Sequence, residues 1–250
     1  MKEQLYKYLL LLGDNSMILA HRLSELCGHG PALETDIALT NISLDLFGQV
    51  RGFFQYAATL KGEEATEDSI AFLRTGREHF NCLLMEQANV DFAHVIARQF
   101  FFDVFQKLQL EQLVNSKDEH IAAIAVKSLK ETKYHLRFSA EWVKRLGDGT
   151  EESHNRIQTA VDALYPFTGE FFRETALEKE MKENGIGADL ALIKKDFDEM
   201  VAQTFAEAKI NLPESKMRMA KGKEGIHTEQ LDYILTELQY MQRAYPNMEW

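Results

Sequence analysis

The stretch KETKYHLRF, Lys130 to Phe138, decides the fold because it places a glutamate and a histidine four residues apart in a run with helical spacing. Along this segment, intervals of three and four predict a helix with one stripe facing the core. The stripe consists of Ile121, Ile124, Ser128, Glu131, His135, Phe138 and Trp142. Glu131 and His135 are therefore expected to face the core side of the helix.

The same spacing recurs along almost the whole chain, whereas strict alternation is almost absent, so we expect an all-α protein. Glycines and prolines divide the chain into long segments, and Ser116 with Glu119 forms a capping box that should open one helix. The long helices are expected at about residues 3–26, 33–61, 91–114, 117–146, 189–210 and 228–243. A further helix from about residue 150 should kink or end at Pro166, and residues 170–184 are expected to form a charged, solvated continuation. Long helices with short links predict an antiparallel bundle, and 250 residues fit one domain, 1–250.

Two other helices also carry carboxylates that point inward or nearly so. Asp103 shares a stripe with Ile96, Phe100 and Leu110, and Gln106 lies nearby. Asp45 belongs to a polar, small-residue face with Asn41, Gly48 and Gly52. Inward carboxylates on several helices are typical of a ferritin-like di-iron site, which takes one Glu from each of two helices and a Glu-x-x-His pair from each of the other two.

The ligand set falls short of that template. Asp103 pairs with Gln106 instead of a histidine, and Tyr134 stands at the third position after Glu131, with His135 at the fourth. A neutral amide is a poor substitute for imidazole as an iron ligand. Glu131 and His135 can thus be a polar pair that fixes helix register or part of an active di-iron centre. The sequence favours the former.

Composition excludes several classes of partner. The net charge is −11, with 39 acidic against 28 basic residues, which argues against nucleic acid and anionic membrane surfaces. Two cysteines are too few for a disulfide framework and indicate a reducing compartment. The apolar run Leu9 to Leu12 is too short for a signal peptide or a membrane span. A cytoplasmic protein is expected.

Two further features raise the question of partners. The segment before the last helix carries four cations, which suit an anionic ligand or an acidic partner, although a solvated loop explains them too. These cations are Lys216, Arg218, Lys221 and Lys223. Phenylalanines also run round their helices too widely for one core face, so some are expected to meet another subunit. They are Phe53, Phe54, Phe100, Phe101, Phe102 and Phe105.

Several long blocks resemble the C-subunit family of the bacterial phenylacetyl-CoA epoxidase, also called the ring 1,2-phenylacetyl-CoA monooxygenase. They are LGDN (12–15), ELCGHGPALETDIALTNISLDLFGQVR (25–51), KETKYHLRFSAEWVKRLGDGTEES (130–153), KGKEGIHTEQL (221–231) and the terminal Trp250. Together they span essentially the whole chain. One departure is Ala-Lys-Gly-Lys at 220–223, where the family leads us to expect Thr-Gly-Gly-Lys.

The resemblance implies a ferritin-like subunit that has lost its metal site and has no cofactor of its own. It would form a heteromeric core with a catalytic A subunit that keeps the di-iron centre. A small B subunit would bridge cores, and a reductase subunit would deliver electrons. No catalytic residue is implied for this chain, and a lost site would lie at Asp45, Asp103, Gln106, Glu131 and His135. Two alternatives stay open, an independent di-iron oxygenase and a subunit whose loop contacts CoA phosphates.

Overall fold

The fold is entirely helical over the residues that the computed structural model describes, which are 1–62, 64–214, 216–246 and 248. The α-helices are α1 (Lys2–Ser24), α2 (Leu33–Lys61), α3 (Glu67–Phe72), α4 (Leu83–Glu86), α5 (Phe92–Leu113), α6 (Glu119–Gly147), α7 (Glu151–Leu164), α8 (Ala176–Glu183), α9 (Leu190–Ala208) and α10 (Glu229–Ala244). The all-α prediction is confirmed. In this part of the chain no helix is long and apolar enough to cross a membrane.

The chain divides into two compact units, one of residues 1–88 with 220–250 and one of residues 89–219. Each contains a pair of long helices joined by a short link, α1 with α2 and α5 with α6. Such pairs are consistent with the ferritin-like bundle. The expectation of a single domain over residues 1–250 stays a prediction.

In the first unit, α1 is buried on all sides along its middle. Every residue from Tyr8 to Ala20 is buried, and α2 packs along this stretch. Gly13 permits the closest approach, because a Cβ there would lie 2.5 Å from Cε1 of Phe54. The small helices α3 and α4 pack against α2 and α1, and α10 contacts both. The unit therefore needs its C-terminal segment to complete its core.

In the second unit, α5 is the central helix and packs against α6, α7 and α9. It is buried on every side from Val95 to Gln106. Its phenylalanines stack within the unit, as in the parallel pair of Phe105 and Phe171, whose ring centroids are 4.4 Å apart. A helix that is apolar all round must be covered all round, and here neighbouring helices supply the cover.

The phenylalanine surplus thus has an internal explanation. Phe53, Phe54, Phe100, Phe101, Phe102 and Phe105 are all buried within this chain. The expectation that some of these six reach another subunit is wrong. Each fully buried ring contributes roughly 1.5–3 kcal/mol relative to an exposed one, so these side chains stabilise the chain's own core.

The start of α6 differs from the predicted capping box. Its N-cap is Asp118, whose Oδ1 accepts hydrogen bonds from the backbone N–H groups of His120 and Ile121 at 3.1 and 3.0 Å. Ser116 Oγ instead accepts from the Asp118 N–H at 3.1 Å and donates to the Ile186 carbonyl at 2.9 Å. Aspartate and serine are both good N-caps. Because Ser116 is bonded to Ile186, Asp118 takes the N-cap position of α6.

Proline 166 ends α7 as predicted, because its ring and missing N–H cannot continue an α-helix. A 3-10 segment, Tyr165–Phe172, follows. The interpretation of residues 170–184 as a solvated continuation is only partly right, since Glu170 and Phe171 are buried. The helix resumes only at Ala176, where α8 begins.

Candidate functional site

The most deeply placed carboxyl of the second unit is that of Asp103 on α5, which has no solvent exposure. Its Oδ2 accepts a hydrogen bond from Ser139 Oγ at 2.7 Å, and its Oδ1 accepts one from Gln99 Nε2 at 2.6 Å. Burial raises the pKa of Asp103 well above its usual range, although these two hydrogen bonds oppose the rise. The Asp103 carboxyl therefore links α5 to α6 in a site where burial disfavours its charged form.

The buried face of α6 is close to the predicted stripe but rotated from it. Ile121, Ser128 and His135 are buried as expected, whereas Glu131 is only half-buried and lies at the flank. The buried ridge consists of Ile121, Ala125, Ser128, Thr132, His135, Ser139, Val143 and Gly147. Most of these side chains are small, which lets α6 approach the phenylalanine-rich α5 closely. The prediction that Glu131 faces the core is thus corrected, and that for His135 is confirmed.

Gln106 is buried beside this ridge. Its Oε1 accepts a hydrogen bond from Thr132 Oγ1 at 3.3 Å. The position that carries a histidine in the di-iron template thus carries an amide whose oxygen bonds a threonine hydroxyl. Gln106 and Asp103 both use α6 hydroxyl groups as partners, so together they fix the register of α5 against α6.

Asp45 belongs to the first unit and is half-exposed. The buried face of α2 is formed instead by Leu39, Ile42, Ser43, Leu46, Gln49, Val50, Phe53, Phe54 and Ala57. The predicted inward face of Asn41, Asp45, Gly48 and Gly52 is exposed or half-exposed. Large aliphatic and aromatic side chains on the opposite side of α2 outweigh the small residues in choosing the core face. The expectation that α2 directs Asp45 inward is therefore corrected.

These residues do not fit a di-iron centre. The Asp103 carboxyl bonds a serine and an amide in a site where burial disfavours its charge, whereas iron needs charged carboxylates and imidazoles as ligands. Glu131 and Asp45 lie toward the surface. Among the described residues, no group of three or more His, Cys, Asp and Glu side chains could hold a metal ion.

The basic segment divides into exposed and buried parts. Lys216, Arg218 and Lys221 are exposed, whereas Lys223 is buried, so only the first three present cations at the surface. Arg218 stacks over Phe167 at 4.5 Å from the ring centroid, and its backbone N–H donates to the Pro166 carbonyl at 2.8 Å. The contact with CoA phosphates stays a prediction.

Sequence reasoning missed a buried ion pair in the first unit. Asp14, in the middle of α1, has no solvent exposure and binds Arg74 through both oxygens, at 2.5 and 2.9 Å. Asp14 Oδ2 also accepts from the Phe80 N–H at 2.8 Å, and the neighbouring Asn15 accepts from the Cys82 N–H at 2.8 Å. The signal was present, because a carboxylate inside an apolar helical run requires a buried partner.

A second missed group lies where α4 ends. Glu86 is fully buried, and its Oε2 lies 3.3 Å from Nδ1 of His227. Arg22 of α1 donates to the Glu86 carbonyl oxygen at 2.7 Å and to Gln230 Oε1 at 3.0 Å. These residues are up to 208 positions apart in the sequence, so local spacing could not bring them together.

Comparison with known protein families matches one family along the whole chain. The profile of the family described as "Phenylacetic acid catabolic protein" matches residues 1–250. The chain belongs to this family. A curated relative from Escherichia coli (strain K12), named as the C subunit of 1,2-phenylacetyl-CoA epoxidase, is 44% identical over 247 residues, which cover 99% of both chains.

The family assignment agrees with the resemblance carried by the sequence blocks. Within those blocks the structure finds Asp14 and Asn15 of LGDN, Ser139 beside Asp103, and His227 just before the C-terminal helix, all in buried polar contacts. Trp250, which completes the resemblance, lies outside the described residues. The blocks therefore coincide with polar contacts that hold each unit together internally.

Proposed function

We propose that this chain is the non-catalytic, structural subunit of a phenylacetyl-CoA epoxidase complex and supports the fold of a catalytic di-iron A subunit. The observation that carries the proposal is the Asp103 carboxyl, which is bonded by Ser139 and Gln99 between α5 and α6 and whose charge burial disfavours. A carboxyl with two protein partners in such a site contributes rigidity and is a poor ligand for a metal.

The name of the E. coli relative supports the assignment to a multisubunit epoxidase. In the proposed complex, the A subunit holds the di-iron centre, a small B subunit bridges the cores, and a reductase subunit supplies electrons. This chain would bind no cofactor of its own. Cys27 and Cys82 are both thiols with no disulfide between them, which fits our placement of the complex in the reducing cytoplasm.

The structural role rests on how the second unit is built. Its central helix is covered by three neighbours, and its buried polar groups bond to one another across α5 and α6. Buried hydrogen bonds of this kind cost free energy when misaligned, so they favour one register over its alternatives. A pre-organised subunit loses little conformational entropy when it binds a partner.

A reconstituted complex tests the proposal. Glu131→Gln removes a charge that a di-iron centre in this chain would need, and we expect the complex of this variant with a wild-type A subunit to epoxidise phenylacetyl-CoA at a rate within about twofold of wild type. Ser128→Ala on the same helix is the matched control. A loss of about 100-fold or more in kcat, with the complex still assembled, would show that this chain is an oxygenase in its own right.

The exposed cations support a narrower proposal, a contact with the phosphates of a CoA thioester bound mainly by the partner. Lys221→Met should then raise the KM for phenylacetyl-CoA with little change in kcat, which is the pattern of lost uniform binding. Lys223 is unsuitable for this test because it is buried. An exposed lysine of the second unit, Lys195→Met, serves as the control, and an unchanged KM in the Lys221 variant would reject the contact.

A further inference from the structure

A buried glutamate and a buried histidine fasten the C-terminal segment of the first unit to the rest of that unit. His227 immediately precedes Thr228, the N-cap of α10, and Glu86 is the last residue of α4. One carboxylate oxygen of Glu86 lies 3.3 Å from His227 Nδ1, and the other accepts the Thr228 N–H at 2.9 Å. Glu86 thus holds the start of α10 in two ways. One of its oxygens lies beside the His227 ring, and the other accepts a backbone N–H at the positive end of the helix dipole.

The contacts of His227 favour a charged ring beside Glu86. Its Nε2 lies 2.8 Å from the carbonyl oxygen of His79, which can only accept, so Nε2 carries a hydrogen. Nδ1 lies 3.3 Å from a carboxylate oxygen of the fully buried Glu86, but the two atoms are not aligned as a hydrogen bond and neither has a hydrogen-bond partner elsewhere among the described residues. A proton on Nδ1 makes this contact an ion pair, whereas without it the two facing atoms repel.

The charged groups around this pair are otherwise accounted for. On α1, Arg22 places its guanidinium on the Glu86 carbonyl oxygen at 2.7 Å, and its charge is paired with Glu25 at 2.9 Å. Asp14, also on α1, is paired with Arg74 at 2.5 Å. Both ion pairs are therefore charged neighbours of the pair formed by Glu86 and His227.

His79 is the other titratable neighbour, and it stays neutral. Its Nδ1 donates to the Thr75 carbonyl at 2.9 Å, and burial lowers the pKa of its ring to about 4, while Asp14 raises this pKa by a smaller amount and Arg74 lowers it further. For His227, burial also lowers the pKa, but the Glu86 carboxylate and the His79 carbonyl together outweigh it and raise the pKa above its usual value. His227 is therefore the group that titrates here.

We propose that the ion pair of Glu86 and protonated His227 is a pH-sensitive latch, which holds the segment from Lys221 to Ala244 against its own unit and lets it open when His227 loses its proton. Because the folded His227 has a raised pKa, its stabilising contribution is complete below pH ~6.5 and is lost as pH rises through the folded value. The latch is therefore closed at low pH and opens as pH rises through the folded pKa of His227.

Hydrogen exchange of the full-length chain tests the latch. The amides of α10, corrected for the intrinsic effect of pH, should lose protection as pH rises above ~6.5, by about tenfold for each unit by which the folded pKa of His227 exceeds the unfolded one. Glu86→Gln and His227→Gln should each abolish this pH dependence. His29→Gln, at an exposed histidine of the same unit, should keep it.

A titration of the wild-type histidines by NMR gives an answer even if a variant fails to fold. The resonance of His227, assigned as the one missing in His227→Gln or by sequential assignment in the wild type, should titrate above ~6.5. A His227 pKa at or below that value would overturn the proposal. Protection of α10 that is independent of pH in the wild type would overturn it as well.

Discussion

The two units stabilise a buried aspartate side chain in different ways. In the first unit, Asp14 keeps its charge because Arg74 binds both carboxylate oxygens and Phe80 donates a backbone N–H. In the second unit, Asp103 has only a hydroxyl and an amide as partners, and burial raises its pKa. A buried carboxylate needs either a cation or a proton.

The difference explains what each core can do. The Asp103 carboxyl between Ser139 and Gln99 is a structural tie, and burial disfavours the negative charge that would attract a metal. The charged pairs of the first unit bind segments that lie far apart in the chain, such as α1 to the stretch after α3. Changing one partner at a time in each core should therefore give different penalties and different pH dependences.

The largest effect is expected for Arg74→Met, which leaves the fully buried Asp14 without its cation. Truncating one partner of a buried ion pair costs about 3–5 kcal/mol, because the remaining charge is uncompensated. Urea unfolding of the full-length chain would measure this loss. Arg156→Met, at an exposed pair with Glu152, is the control and should cost far less. A loss below about 1 kcal/mol for Arg74→Met would mean that Asp14 is already neutral.

A smaller effect is expected for Ser139→Ala, which removes one of the two hydrogen-bond partners of Asp103. Leaving a buried polar group unsatisfied costs about 1–3 kcal/mol. Ser128→Ala, about three turns away on the same buried ridge of α6, is the matched control. Equal losses in the free energy of unfolding of the two variants, measured by urea unfolding, would show that the contact with Asp103 adds nothing to the stability of the chain.

The smallest change in stability is expected for Asp103→Asn, and the sign of this change depends on pH. Because the folded carboxyl has a raised pKa, its stabilising contribution is present below pH ~4 and is lost as pH rises toward the folded value. The asparagine variant lacks this loss, so its stability relative to wild type should increase with pH. Thermal melts at several pH values would show this trend. If the stability of the variant relative to wild type instead falls as pH rises, Asp103 is ionised in the folded protein.

The sequence predicted the helical elements well because helix signals are local. Gly62 ends α2 at Lys61 and Pro166 ends α7, both as expected from backbone chemistry. The cap of α6 was misplaced because Ser116 bonds Ile186, a residue 70 positions away. The rotation of the buried face of α6 likewise depends on the bulky side chains of α5. The spacing of residues within α6 carries no information about those side chains.

The candidate site was predictable only in part. The burial of Asp103 and His135 followed from spacing, and the incomplete ligand set was visible in the residue types. The pairings of Asp14 with Arg74 and of Glu86 with His227 were not, because each joins residues at least 60 positions apart. Long-range partners of buried charges follow from tertiary packing and have no local signature.

Iron content is the most direct test of the claim that this chain is a non-catalytic subunit. The purified chain would be loaded with ferrous iron under anaerobic conditions and desalted, beside the complex of this chain with the A subunit and beside the Glu131→Gln variant. We expect far less than one iron per chain in the isolated protein and in the variant, and iron in the complex. About two irons per isolated wild-type chain, lost in Glu131→Gln, would contradict the account and make this chain a di-iron protein.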